Sequence, residues 1–311
     1  MTHTALAALA ALALTLVSCS SGSFPPASSP GPGGSPGFDG SAAPTSSVGS
    51  IAHPTGANEL VLREDIDGGL VAPGWILSHI PQVSIYGDGR VITQGAQIAI
   101  YPGPALPSLV VARVSEAGLQ RILAAAAGAG LLGKDASYPY PGIMDAGTTT
   151  FTMNAGGATH TVSAYALGLG EDPSVLPPAE AAARADLAAF SAKLGDLPGW
   201  LGSDVVSVET PYDFDAIRIY AQEAQPVVPE PGLSPTVVDW PLATPLASFG
   251  TPFRPTMEPP MRCGVLTGDD LATLRRALEG ANQLTYWRSA GATYALTLRP
   301  LLPDESGCPA G

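Results

Sequence analysis

Histidine is the side chain best suited to act as a general base near neutral pH, and the predicted folded part contains His79 and His160. We expect His79 in a loop ahead of an Ile-Pro pair, and His160 on a strand between two threonines. The predicted folded part has no Gly-x-Ser-x-Gly elbow and no Ser-x-x-Lys, and an orienting acid could be chosen only freely. The sequence therefore assigns no catalytic residue, and an envelope hydrolase stays open as an alternative.

Two motif fragments would bind a nucleotide or a metal only in a context that this sequence lacks. Segment 128–133 has the glycine spacing of a dinucleotide fingerprint, but it follows a predicted helix, where glycines end the helix. Segment 65–69 matches the start of a calcium loop, but the twelfth position is Ile76 instead of Glu. We therefore predict no metal site and no cofactor.

The best candidate for a binding surface is the loop 134–145. Tyr138 and Tyr140 alternate with prolines, which would stiffen the loop and present both rings to a protein or a glycan at low entropic cost. Asp145 introduces the strand that follows. The tyrosines could equally cover the end of a sheet, and the sequence leaves both interpretations open.

The start of the chain carries an export signal. Residues 5–17 are almost all Ala, Leu or Val, a run shorter than the roughly 20 residues that span a bilayer. The run ends in Leu16-Val17-Ser18-Cys19, which resembles the lipobox of bacterial lipoproteins. The resemblance implies a signal peptide over 1–18, acyl chains on Cys19, and a location on the extracytoplasmic face of the cell membrane. The membrane, reached through this lipid anchor, is then the first predicted partner.

Residues 19–58 form a predicted tether. The segment is rich in Ser, Gly, Pro and Ala, which cannot bury enough apolar surface to offset the entropy of ordering. We expect a disordered stalk that lifts the domain behind it away from the bilayer. The predicted folded part is 59–311, with possible modules at 59–200 and 204–311.

Charge excludes one class of partner. The formal net charge is −13, and 2 lysines stand beside 12 arginines. Nucleic-acid binding relies on clustered Lys and Arg, so we predict no nucleic-acid partner. An envelope protein or a glycan remains the expected type of ligand.

Once the lipobox resemblance assigns Cys19 to lipid, Cys263 and Cys308 remain as an even pair in an oxidising compartment. A disulfide between them would close a loop of about 46 residues, worth about 4 kcal/mol in the chain-entropy model. A metal-ligand pair or a catalytic thiol would need partners, and no histidine follows His160.

Hydrophobic periodicity and turn residues predict an α+β fold with mainly antiparallel sheet and a few packed helices. Helices are expected after Ser115, over 179–194 and after Thr267. The strands are predicted at 59–63, 82–86, 90–93, 148–153, 158–167, 216–221, 237–240, 285–288 and 293–299.

Two features of this pattern go beyond fold class. The capped helices align at an offset of 152, Ser115 on Thr267, and each precedes a hairpin, which indicates a duplicated strand–helix–hairpin unit. Residues 226–260 hold ten prolines and no period, so we expect a long loop whose Trp240, Phe249 and Phe253 pack on the domain surface. The sequence thus predicts an envelope protein that binds or scaffolds, without naming its ligand.

Overall fold

The structure is a computed structural model, and it describes residues 49–72, 74–255 and 259–309. Two sheets, each mainly antiparallel, carry five α-helices, so the predicted α+β class is confirmed. Cys19, the predicted signal peptide and most of the predicted tether lie outside the described residues. Among the described helices, none has the length and apolar content needed to cross a bilayer.

The first sheet has eight strands in the order β5-β7-β6-β1-β2-β3-β4-β8, and only its β5–β7 pair is parallel. Its strands are β1 (Leu60–Asp67), β2 (Val83–Tyr86), β3 (Arg90–Gln94), β4 (Leu109–Arg113), β5 (Ala136–Tyr138), β6 (Thr148–Ala155), β7 (Ala158–Tyr165) and β8 (Thr210–Pro211).

Helices cover one face of this sheet. They are α2 (Glu116–Gly128), α3 (Pro178–Leu194) and α4 (Leu197–Leu201), whereas the short α1 (Trp75–Ser78) lies between β1 and β2 in the chain. Ser115 caps α2 as predicted, because its Oγ accepts a hydrogen bond from the Gly118 amide at 3.2 Å. The apolar stripe of α2 is buried with Leu187 and Phe190 of α3 in one core against β1, β6 and β7.

The second sheet has six strands in the order β10-β13-β14-β9-β12-β11, and only its β10–β13 pair is parallel. Its strands are β9 (Ala216–Glu223), β10 (Thr236–Asp239), β11 (Thr251–Phe253), β12 (Met261–Thr267), β13 (Thr285–Ser289) and β14 (Ala292–Pro300). Helix α5 (Gly268–Leu278) buries Leu271, Leu274 and Leu278 against this sheet.

The proline-rich stretch 226–260 is more ordered than its composition predicts. It contributes the edge strands β10 and β11, and its Trp240 and Phe249 belong to the core of the second sheet. Trp240 lies edge-on to Trp287 with ring centroids 5.9 Å apart. The expectation of surface packing was wrong for these rings, because the second sheet has one covering helix and the loop supplies the rest of its cover.

The two halves do not repeat one topology. In the first sheet, β6, the first strand of the hairpin β6–β7, lies beside β1. In the second sheet, β14, the second strand of the hairpin β13–β14, lies beside β9. The strand before each capped helix also differs, since β12 neighbours β9 but β4 is separated from β1 by β2 and β3. A duplicated unit is therefore not visible as a repeated strand order among the described residues.

The ordered part begins earlier than the predicted boundary at residue 59. The backbone of Ile51 exchanges two hydrogen bonds with the side chain of Gln120, at 2.9 and 3.0 Å. The carbonyl of Ala52 accepts a hydrogen bond from the Gly156 amide at 2.7 Å. These contacts satisfy backbone groups that a solvated stalk would leave to water, so residues 51–58 belong to the domain.

Segment 301–308 contacts both sheets. Asp304 Oδ1 accepts hydrogen bonds from Arg63 and Tyr86 of the first sheet, both at 2.8 Å. Glu305 forms a two-pronged ion pair with Arg299 of β14 in the second sheet, at 2.5 and 2.7 Å. Cys308 then forms a disulfide with Cys263 of β12, across 6.0 Å between Cα atoms, as predicted.

Candidate functional site

Adjacent residues of β1 point to opposite faces of the first sheet, and a concave surface lies on each side. Glu64 faces the helix-covered side, where it lines a pocket with Ser191 of α3. Asp65 faces the other side, where it pairs with His79. We call these surfaces the glutamate pocket and the histidine cleft, and the alternation of side chains along a strand separates them.

The histidine cleft is built around three side chains. His79 Nε2 lies 2.5 Å from Asp65 Oδ1, and its ring stacks on Trp75 with centroids 4.1 Å apart. The carbonyl of His79 accepts a hydrogen bond from Arg299 Nε at 2.7 Å, which ties the loop to the second sheet. These contacts fix the imidazole in place.

The cleft has a volume of about 650 Å³ and runs from the α1 region to strands β13 and β14. Among the described residues that line it, His79 is the one side chain that can carry a charge near neutral pH. Its side-chain hydroxyls and carboxamides come from Ser78, Gln94, Gln97, Asn282, Gln283, Thr285 and Thr297. This lining offers neutral donors and acceptors in a chain whose net charge is −13.

Apolar side chains surround the cleft. Ile98 is 72% exposed and Ile100 is 62% exposed, and both line the cleft. Leu106 and Leu298 form apolar parts of its wall. Large exposed aliphatic groups that lie together around a concave surface are typical of an interaction site.

His79 of the cleft has the acid partner Asp65, but no nucleophile beside it among the described residues. The neighbouring hydroxyl of Ser78 donates to the carbonyl of Trp75 at 3.2 Å, and in the described part of the chain no hydroxyl or thiol hydrogen-bonds His79. His160 lies apart on β7, 3.8 Å from the exposed carboxylate of Asp135. The geometry therefore supports binding better than nucleophilic catalysis.

The glutamate pocket encloses about 490 Å³ between the first sheet and the ends of α3 and α4. Glu64 is only 3% exposed, and its Oε1 accepts a short hydrogen bond from Ser191 Oγ. Burial raises the pKa of the Glu64 carboxyl above its ordinary value, and the hydrogen bond from Ser191 opposes this only in part. Much of the wall is apolar, from Val83, Val91, Ala112, Leu194, Leu197 and Val206.

The predicted tyrosine loop is packed against the domain. Tyr140 is buried, its hydroxyl accepts a hydrogen bond from the Asp172 amide at 2.8 Å, and Arg184 lies over its ring at 5.2 Å. Tyr138 is half-buried on β5 and packs against the main core. Asp145 is exposed, with a positive φ of 56° and a carbonyl that accepts from the Leu70 amide. The structure thus favours the covering role for the tyrosines over a presented binding surface.

The structure does not gather the other motif residues into sites. Asp65 pairs with His79 and Asp67 caps the Gly68 amide at 2.7 Å, so the two acids of the calcium-like segment have separate partners. Over residues 49–309, apart from the undescribed positions, no three His, Cys, Asp or Glu side chains converge as metal ligands. Helix α2 ends at Gly128, as the helix-stop interpretation of the glycines predicts.

Sequence reasoning missed Glu64, although a signal for it exists. In β1, the side chains of Leu62, Glu64 and Ile66 point to the same face of the sheet. The two neighbours of Glu64 on that face, Leu62 and Ile66, are apolar. An acid in the core-facing phase of a strand indicates a buried carboxyl, which is often functional. The histidine cleft gave no comparable signal, because its residues come from four separate stretches of chain.

Comparison of the chain with family models, with curated proteins and with solved structures finds no match.

Proposed function

We propose that this chain is a lipid-anchored binding protein of the bacterial cell envelope, and that the histidine cleft binds a neutral extracytoplasmic glycan. The observation that carries the proposal is the lining of the cleft, where tryptophan rings and several carboxamides lie in an open groove and the described lining residues include no Lys, Arg, Asp or Glu.

Neutral sugars match this lining chemically. Their hydroxyls pair with side-chain amides and hydroxyls, and their C–H faces pack on apolar and aromatic surfaces. Gln97 is exposed at the cleft and uses one of its donors on the Ser108 carbonyl at 3.3 Å, so its amide oxygen is available to a ligand. A strongly charged ligand would find no matching groups here.

The sequence supports the location. The lipobox resemblance implies acyl chains on Cys19, and the Ser-, Gly- and Pro-rich segment behind it would act as a stalk. A domain on such a stalk can reach polymers that lie away from the bilayer surface.

Binding can be tested with the detergent-purified mature protein and insoluble envelope glycan, measured by co-sedimentation. We expect retention to fall at least severalfold in Trp75→Ala and in Gln97→Ala. Gln225→Ala, which removes an exposed glutamine outside the cleft, should retain wild-type binding. Unchanged retention in both cleft variants would contradict the proposal, as would loss of all retention after protease treatment of the glycan, which would indicate a peptide partner.

Anchoring has its own test. Cys19→Ala should move the protein from the detergent phase to the aqueous phase in phase partitioning, because it removes the acylation site. Ser20→Ala should leave partitioning unchanged. Continued partitioning of Cys19→Ala into detergent would refute lipidation.

A hydrolase that cleaves the same polymer is the alternative, and the observation that favours it is that His79, which lines the cleft, is paired with the carboxylate of Asp65. Soluble sugar fragments released by the wild type but not by His79→Gln would favour this alternative. Retention of intact glycan by both proteins would favour binding alone.

A further inference from the structure

We propose that the glutamate pocket is a second binding site, selective for small organic cations: an ammonium group joined to a compact apolar body. The site lies on the helix-covered side of β1, whereas the histidine cleft lies on the other side of that strand. The inference therefore stands independently of the proposed glycan binding.

The dimensions and walls of the pocket suit such a ligand. A volume of about 490 Å³ falls in the range of small-molecule sites. The apolar part of the wall comes from β2, β3, β4 and the ends of α3 and α4, so the body of a ligand would lie between the sheet and the helices. Hydroxyl and amide groups of Thr93 and Gln82 complete the lining, and Gln94, at the end of β3, borders both this pocket and the histidine cleft.

The charges around the pocket have one sign. Glu64 lies inside it and the exposed Glu209 lies at its edge, while no Lys or Arg is found among the described lining residues. Helix α3 has 17 residues and ends at Leu194, so its C-terminal carbonyls add partial negative charge beside the pocket. This arrangement attracts a cation and repels an anion.

Glu64 has an oxygen to spare for a ligand. Its Oε1 accepts from Ser191, whereas its Oε2 receives no hydrogen bond from the described part of the chain. A buried carboxylate without a cationic partner is costly, and that cost raises its pKa. A ligand ammonium that donates to Oε2 would supply the missing positive charge and stabilise the ionised form.

The geometry also explains why a metal ion is a poorer match. Metal sites made by protein side chains usually combine several ligating groups, and no cluster of three or more His, Cys, Asp or Glu side chains is present among the described residues. An ammonium needs only one carboxylate and a few acceptors, with apolar contacts for its body.

The test is isothermal titration of the full mature protein with benzylamine and with benzyl alcohol, its neutral counterpart of the same shape. We expect benzylamine to bind more tightly than benzyl alcohol in the wild type. Glu64→Gln keeps the shape of the side chain and an acceptor for Ser191, and it should weaken benzylamine binding by roughly 10- to 100-fold, the contribution of a charge-assisted hydrogen bond. Glu209→Gln is the matched control at the edge and should change affinity by about twofold or less, as screened surface charges do.

A second measurement uses the wild type alone. Carbon-13 NMR of the Glu64 carboxyl should show that benzylamine lowers the pKa of this group, because the bound cation favours the carboxylate. The proposal is overturned if benzyl alcohol binds as tightly as benzylamine, if Glu64→Gln binds benzylamine like the wild type, or if the Glu64 titration does not respond. Glycan retention by Glu64→Gln should equal that of the wild type, which separates this site from the cleft.

Discussion

At the scale of single residues, Glu64 makes stability depend on pH. Burial raises the pKa of its carboxyl in the folded protein above the ordinary 4.5, so the folded state binds a proton that the unfolded state has already lost. The protonated form therefore stabilises the fold below that ordinary value, and the contribution is lost as pH rises through the folded-state pKa.

We expect this loss to be absent from Glu64→Gln. The free energy of unfolding of the wild type, measured relative to the variant by urea titration, should decline as pH rises from 4 toward neutrality. Glu209→Gln removes an exposed carboxylate at the same pocket and serves as the control for net charge. If the free energy of unfolding of the wild type relative to Glu64→Gln instead rises with pH, the assignment of Glu64 as a buried, destabilised carboxylate is contradicted.

Arg184 explains why the tyrosines of the loop 134–145 cover the domain and are not presented to a ligand. It is 1% exposed on α3, and it donates to Glu171 and to the backbone carbonyls of Tyr138 and Tyr165 at 2.7 to 2.8 Å. These hydrogen bonds hold the tyrosine segment against the domain, because a buried guanidinium must have its donors satisfied. The tyrosine loop is packed because an arginine 46 residues further along the chain hydrogen-bonds the carbonyl of Tyr138.

At the scale of elements, the two capped helices differ in how their first turns are satisfied. Ser115 Oγ accepts a hydrogen bond from within α2, whereas Thr267, at the equivalent position of α5, makes no side-chain cap hydrogen bond. Ser115→Ala should therefore cost about 1 kcal/mol of unfolding free energy, and Thr267→Ala only a few tenths. Chemical denaturation of both variants measures the two losses, and equal losses would show that the cap geometry does not control them.

The same helices mark what sequence could predict about this fold. Ser115, Thr267 and the hairpin turns act within a few residues, so helix starts and paired strands are visible in local pattern. Strand β12, which carries Cys263, was missed because it pairs with β9 some 40 residues earlier. The glutamate pocket and the histidine cleft were missed for the same reason, since each is lined from stretches far apart in the chain.

At the scale of the whole molecule, the segment 301–308 connects the two sheets. Asp304 binds Arg63 and Tyr86 of the first sheet, and Glu305 binds Arg299 of the second. Two neighbouring carboxylates of this segment therefore bind different sheets. Leu302 packs with Tyr86 and Ile92 at the same contact. The wall of the histidine cleft on the β14 side depends on this connection, because Arg299 also holds the carbonyl of His79.

The disulfide should stabilise this connection from the end of the segment. Cys263 is buried in β12, and its bond to Cys308 closes a loop that includes α5, β13 and β14. Cys308→Ser should lower the free energy of unfolding by about 4 kcal/mol, because the unfolded chain regains the entropy of a loop of about 46 residues. Treating the wild type with reductant should give the same loss, measured by guanidinium titration.

Cys19→Ala provides the control, since it changes a cysteine that takes no part in the Cys263–Cys308 bond and should leave the unfolding midpoint unchanged. If the bond matters mainly for the sheet connection, Cys308→Ser should also weaken glycan retention through the cleft while benzylamine binding in the glutamate pocket persists. The described residues that line this pocket all lie at or before 209, in the first sheet, its helices and their connections. Equal loss at both sites would instead mean that the disulfide stabilises the domain as one cooperative unit.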